Sequence, residues 1–294
     1  MGRVSRGWSL TGQSWEILKS DRSLVVFPIL SIVFAILATV AIWVLALVIR
    51  GVFDGQPLQE HDPVFYIAGL ATAYVSTFIA IFFNVALAAC AMRSLRGEDT
   101  KVGEGVRAAV RRIGPILGWT LVATTVYLIL RALEKRLPLL GSIVAWLVDA
   151  AWSIATFFVI PVIAVEGSGP WQSLKRSSGI VKARWGESAT GAVTLWVLAF
   201  VVTFVIALVG GVGSALLFGA GLQPLGVVVA AIAIAGIIIV SCAYSALTQI
   251  FRVAVYQYAV AGETPSGFDG ELLQAAFEGA APPTTVDPVT GRPL

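Results

Sequence analysis

Six long apolar runs dominate the chain: Leu24 to Ile49, Val64 to Met92, Ile113 to Leu133, Leu139 to Ala164, Ala189 to Phe218, and Leu225 to about Tyr258. Crossing a hydrocarbon core about 30 Å thick takes roughly 20 apolar residues in a helix, because away from water only bonds within the segment satisfy the backbone. Each run reaches that length. The pattern therefore predicts an all-α polytopic membrane protein, with six transmembrane helices arranged as three hairpin units. Glu134, Lys135, Arg136 and Pro138 interrupt the third and fourth runs and make them a hairpin rather than one bent helix. The first run follows Arg3, Arg6, Lys19 and Arg22 and far exceeds the roughly 7–15 apolar residues of a cleavable signal, so it is read as a retained helix. The fifth and sixth runs are longer than a bilayer requires, so these helices tilt, project beyond it or break. Gly210, Gly211 and Gly213 point to a break or a close contact, and Gly210 with Ser214 has the spacing at which small residues let helix backbones approach.

The polar stretches before the odd-numbered runs carry helical periodicity of their own. Trp8, Thr11, Trp15 and Leu18 share one face; Val102, Val106, Ala109 and Ile113 share another, opposite Arg107 and Arg111; Trp171, Leu174, Val181 and Trp185 form a third. These read as amphipathic helices at the membrane surface, apolar side toward acyl chains and bases toward lipid phosphates. Loops packed on the bundle are the alternative. Trp8, Trp15, Arg107, Arg111, Trp171, Lys175 and Trp185 are the membrane-interface candidates. Surface helix, outward helix, return helix and glycine-containing loop then recur three times, near residues 7–97, 102–167 and 170–262, which implies a pseudo-symmetry axis along the membrane normal. Chance similarity among apolar segments competes with that reading. The chain divides into an N-terminal amphipathic segment (1–23), a six-helix transmembrane domain (24–260), a C-terminal amphipathic segment (261–280) and a proline-rich disordered tail (281–294).

Composition agrees: 57% of residues are hydrophobic and 13% charged, against about a quarter charged in a soluble domain. Charge adds orientation. Sixteen of the twenty Lys and Arg residues flank one side of the six runs, and only Arg50, Arg131, Lys135 and Arg136 the other. Because cytoplasmic flanks collect bases, both termini are expected in the cytoplasm of a cell whose plasma membrane the chain spans. The net charge of +3 is accordingly a topology signal, and no nucleic-acid partner is expected.

Short motifs carry a resemblance: Arg6-Gly7-Trp8, Ser14-Trp15, Phe27-Pro28, the stretch from Pro161 to Gly167, Leu174 to Ser177, Trp185 to Glu187, and Tyr258 to Phe277. With them the chain resembles an uncharacterised prokaryotic six-helix membrane protein family, itself distantly similar to the membrane domain attached to some glycerophosphodiester phosphodiesterases. The likeness implies a fold and a location. It implies no activity, since no phosphodiesterase catalytic domain is present.

No catalytic constellation is recognisable, and the chain is not expected to be an enzyme. The sole histidine, His61, has no second His or Cys cluster beside it to complete a metal site; Cys90 and Cys242 fall in apolar runs as packing residues; no glycine-rich phosphate loop with its lysine occurs. No cofactor is expected. What remains is deep polarity. Asp149 stands about ten residues into the fourth run, which places it about 15 Å deep, near the midplane. Asn84 and Gln249 each precede a Gly-Glu pair by thirteen residues, and Arg252 follows Gln249 by almost a turn. Polar groups at such depth cost free energy. They are expected to face the bundle interior, either lining a site or pathway or merely joining helices by hydrogen bonds. The first functional expectation is transport or channel-like handling of a small solute, ion or lipid; the second is a non-catalytic lipid-interacting or scaffolding module. Membrane lipids are the expected partners, with a second copy or another membrane protein as further candidates.

Overall fold

The computed structural model describes residues 12–19, 21, 23–52, 62–136, 140–184, 190–262, 265 and 268. Among them, beyond a helical segment at 12–19, lie nine helices: α1 (Ser23–Ile49), α2 (Pro63–Ser94), α3 (Val102–Arg111), α4 (Ile113–Arg136), α5 (Leu140–Ala155), α6 (Val159–Glu166), α7 (Pro170–Arg184), α8 (Thr190–Gly219) and α9 (Gln223–Ala261). Six spans among the described residues are long and apolar enough to cross a membrane, the fourth running from Leu147 to Glu166 across α5 and α6. The all-α polytopic class expected from the apolar runs is borne out. Trp8, His61, Trp185, most of the 261–280 segment and the whole 281–294 tail lie outside the described residues.

The helices separate into two compact units. The first comprises Val26–Arg93 and Thr100–Lys182, and so most of α1 and α7 with all of α3 to α6 and nearly all of α2. Its opening hairpin is tied by an ion pair of Arg50, just past α1, with Asp62, which also accepts the Val64 N–H at 3.0 Å and so caps α2. Phe34 against Phe83 and Trp43 stacked on Phe65 pack the two helices together. At the far end of α2, the short helix α3 lies with Gly105 and Ala109 buried and Arg107 and Arg111 exposed. α4 and α5 meet through Trp119 and Trp152, stacked at 5.7 Å.

The fourth span breaks at residues 156–158. Thr156 turns its hydroxyl back onto the Trp152 carbonyl at 2.8 Å, and Pro161 has no N–H with which to continue the helical ladder across the break. The Phe158 N–H is taken instead by Ser177 Oγ of α7 at 3.0 Å, a buried bond. Ser173, one turn earlier, donates to the Ser168 carbonyl at 3.1 Å. The innermost face of α7 is therefore Ser173, Ser177 and Ile180, while Leu174 and Val181 are half-buried and Trp171 is exposed. Trp171, Leu174 and Val181, expected to face acyl chains, lie off this inner face, which carries hydroxyls because the backbone groups at the break and before α7 need partners opposite them. Ser177→Ala should leave the Phe158 N–H buried without its acceptor, at a cost of about 1–3 kcal/mol. Thermal unfolding in detergent measures this, and Ser177→Thr, which retains a hydroxyl, should recover most of the loss.

The second unit holds Met1–Val25, Ser94–Asp99 and Ala183–Leu294. In the segment 12–19, Ser14, Ile17 and Leu18 are buried and Trp15 is exposed, with the Lys19 ammonium 5.8 Å from its ring. α8 and α9 form a hairpin. Gly210 abuts Ala233, and Ser214 donates to the Gly226 carbonyl at 3.0 Å. Gly210 thus serves a close contact, and the helix runs unbroken. Among the described residues, Gly51, Gly97, Gly167, Gly221 and Gly262 are in the left-handed region and stand just beyond α1, α2, α6, α8 and α9, where a residue without Cβ lets the chain leave the helix.

Candidate functional site

Polar side chains within the spans mostly turn back onto their own helix. Thr72, Thr77, Asn84, Thr120 and Ser241 each donate to the carbonyl four residues before, at 2.7–2.8 Å. In lipid this is the least costly arrangement, since the donor is satisfied without a partner helix. Asn84 is half-buried in α2. Asp149 is exposed on α5, as are its neighbours Leu147, Val148 and Ala151, which departs from the expectation that it faces the interior. α5 meets α4 through Trp152. Gln249 is buried and Arg252 half-buried in α9. Asn84 and Asp149 belong to the first unit, Gln249 and Arg252 to the second, so the four fall into two pairs.

Among the described residues, charge and open space coincide at two joints of the first unit where a span meets the following short helix. At the first, Arg93 near the end of α2 donates to Glu104 in the opening turn of α3 at 2.5 Å. A cavity of about 280 Å³ opens there, lined by Ala89, Arg93, Glu104, Arg107, Ala108 and Arg111 among others. Beneath it Cys90 is buried, its thiol directed to the Lys101 carbonyl at 3.7 Å. The joint closes tightly because residue 105 is glycine: a Cβ there would fall 2.6 Å from Phe27 Cζ, 2.7 Å from Cys90 Sγ and 2.8 Å from the Ala86 carbonyl oxygen.

At the second joint the charges are exchanged. Glu166, ending α6, accepts from Arg176 of α7 at 3.1 Å. Ser168, Gln172, Lys175 and Ile180 join them around an open cavity of about 470 Å³. Arg112, at the junction of α3 and α4, donates to the Val165 carbonyl at 3.3 Å and lies against Gly167, so its charge is committed to the end of α6.

Of the interface candidates, Arg107 and Arg111 line the first cavity and Lys175 the second. Trp15 and Trp171 are exposed. Sequence reasoning missed Arg93, Glu104, Glu166 and Arg176 as paired groups. The signal for them is an acid or base in the last turn of a span, with its opposite ten or eleven residues on in the next short helix.

No curated protein and no solved structure matched the chain. The model of a family of unknown function, DUF6159, matches residues 64–268, from the start of α2 to beyond the end of α9, and the chain therefore belongs to that family.

Proposed function

We propose that this protein is a non-catalytic membrane module that engages anionic lipid at its base-rich, cytoplasmic side. The observation that carries the reading is α3: it is seated through Gly105 and Ala109 and holds Arg107 and Arg111 outward. α7 likewise leaves Lys175 and Arg176 exposed. Guanidinium and ammonium groups held at the headgroup level attract anionic lipid by about 1 kcal/mol each. The resemblance to a membrane domain attached to lipid-related phosphodiesterases points the same way.

Protein in bilayer nanodiscs tests the proposal. Replacing part of a phosphatidylcholine bilayer with phosphatidylglycerol should raise the unfolding midpoint by about 5–10 °C, the shift that ~2.7 kcal/mol of ligand linkage gives a domain of this size. Equal midpoints in the two bilayers would remove the basis of the reading.

Transport of a small solute, ion or lipid is the second reading, favoured by α9. α9 carries buried Gln249 and half-buried Arg252 and, along the same helix, Thr248 Oγ1 and Gln257 Oε1, two buried atoms with no hydrogen-bond partner among the described residues. Flux in proteoliposomes that Gln249→Leu abolishes in a folded protein would favour transport over the module; lipid preference without flux would favour the module.

A further inference from the structure

The cavity between α2 and α3 carries more positive charge than it neutralises. Three arginines, Arg93, Arg107 and Arg111, line it with Glu104, and that carboxylate is already engaged by Arg93. Arg107 and Arg111 stand four residues apart on one face of a ten-residue helix, where like charges repel and weaken the helix. Such a pair is tolerated best with an anion between the guanidinium groups. Their fork geometry suits the oxygens of a phosphate, to which bidentate bonds are strong.

The surroundings select the source of that phosphate. Ala89 and Ala108 contribute small apolar walls, and just along the chain Val110, Ile113 and Leu117 are exposed at 54%, 39% and 41%. Ile113 and Leu117 belong to a span, so their exposed sides face acyl chains in a bilayer. A ligand that places a phosphate among the arginines and a hydrocarbon tail along these three side chains is an anionic phospholipid. We propose that the α2–α3 cavity is a specific seat for the phosphate headgroup of an anionic lipid, held by Arg107 and Arg111 with Arg93 positioned by Glu104. This rests on the lipid-module reading and adds to it a defined site, which diffuse attraction to a charged surface does not require.

Titration of the full chain in phosphatidylcholine nanodiscs with phosphatidylglycerol, read by native mass spectrometry, tests the site. Arg107→Gln with Arg111→Gln should weaken binding by about tenfold or more, the effect of losing one to two charge-assisted bonds. Lys19→Gln with Lys182→Gln removes the same charge from positions outside the cavity and should change binding less than about threefold. Ala108→Leu keeps every base but fills the space, and should weaken binding as the double arginine variant does. Retained circular dichroism and continued protection of Cys90 from alkylation show that each variant is folded, and the two routes to the same loss do not share a folding risk. Equal losses in the arginine and lysine pairs, or undiminished binding in Ala108→Leu, overturn the cavity while leaving the lipid-module reading in place. Absence of any phosphatidylglycerol preference in the unaltered protein overturns both. Inorganic phosphate, titrated in neutral detergent, should bind far more weakly than the lipid; binding as tight as the lipid's overturns the headgroup assignment.

Discussion

Gly105→Ala is expected to lift α3 from the end of α2 and destabilise the protein by about 1–3 kcal/mol, the usual cost of inserting a methyl into a filled site. Two of the three atoms its Cβ would meet have little room to yield: the Ala86 oxygen is backbone, and Phe27 is fully buried beneath the joint. Displacement has a direct chemical readout, because Cys90 lies under Gly105 and is buried. In a Cys242→Ala background, alkylation of Cys90 by a water-soluble maleimide should be slow in the parent and roughly tenfold faster or more in Gly105→Ala, since a rise in local opening of about 1.4 kcal/mol is a factor of ten. An unchanged rate, together with an unchanged unfolding midpoint, would mean that α3 is not seated as the structure has it. A larger residue, such as Gly105→Leu, should carry the effect further and also remove the cavity in which the headgroup is proposed to sit.

Asp62→Ala should be the most damaging single change at the opposite end of the first hairpin, costing about 3–5 kcal/mol, because it leaves the Arg50 charge in a poorly solvated position. The side chains of Arg50 and Asp62 are only 19% and 8% exposed, so solvent screens this pair far less than the surface pairs of the protein. Asp62 also caps α2 through the Val64 N–H, and Asp62→Asn retains that cap while losing the charge. The asparagine variant should therefore fall between the parent and Asp62→Ala. A double-mutant cycle with Arg50→Ala isolates the ion pair: strong coupling means that the double variant is little worse than either single one. Strictly additive losses would show that the two side chains do not act together. By contrast, Lys19→Ala should change stability by less than about 1 kcal/mol, since its pair with Glu16 is 57% and 73% exposed.

The six spans follow from apolar length alone, since a backbone in lipid has few ways to satisfy its own hydrogen bonds, and α1, α2, α4, α8 and α9 lie where the apolar runs are. α3 is legible as well, from the spacing of Val102, Val106 and Ala109 opposite Arg107 and Arg111. Periodicity turns Trp171, Leu174 and Val181 of α7 toward acyl chains, and depth turns Asp149 toward the interior, but neither periodicity nor depth says what a neighbouring element offers to a helix face. On α7 the deciding neighbour is the Phe158 N–H, which calls for Ser177 on the inner face, while Asp149 on α5 is exposed.

The division between sequence and tertiary structure follows the range of the forces involved. Membrane class, span number and the surplus of bases on one flank depend on transfer of each segment from water to hydrocarbon, a property that accumulates along the chain and needs no partner. Whether Gly210 and Ser214 mark a break or a contact, where the fourth span yields, and which base meets which acid depend on atoms brought within hydrogen-bonding distance, about 3 Å, from separate parts of the chain. Arg93 and Glu104 stand eleven residues apart, and Phe158 and Ser177 nineteen. Directional bonds of that kind decay within a few ångströms, so only the packed helices decided that three arginines and a glutamate share one cavity.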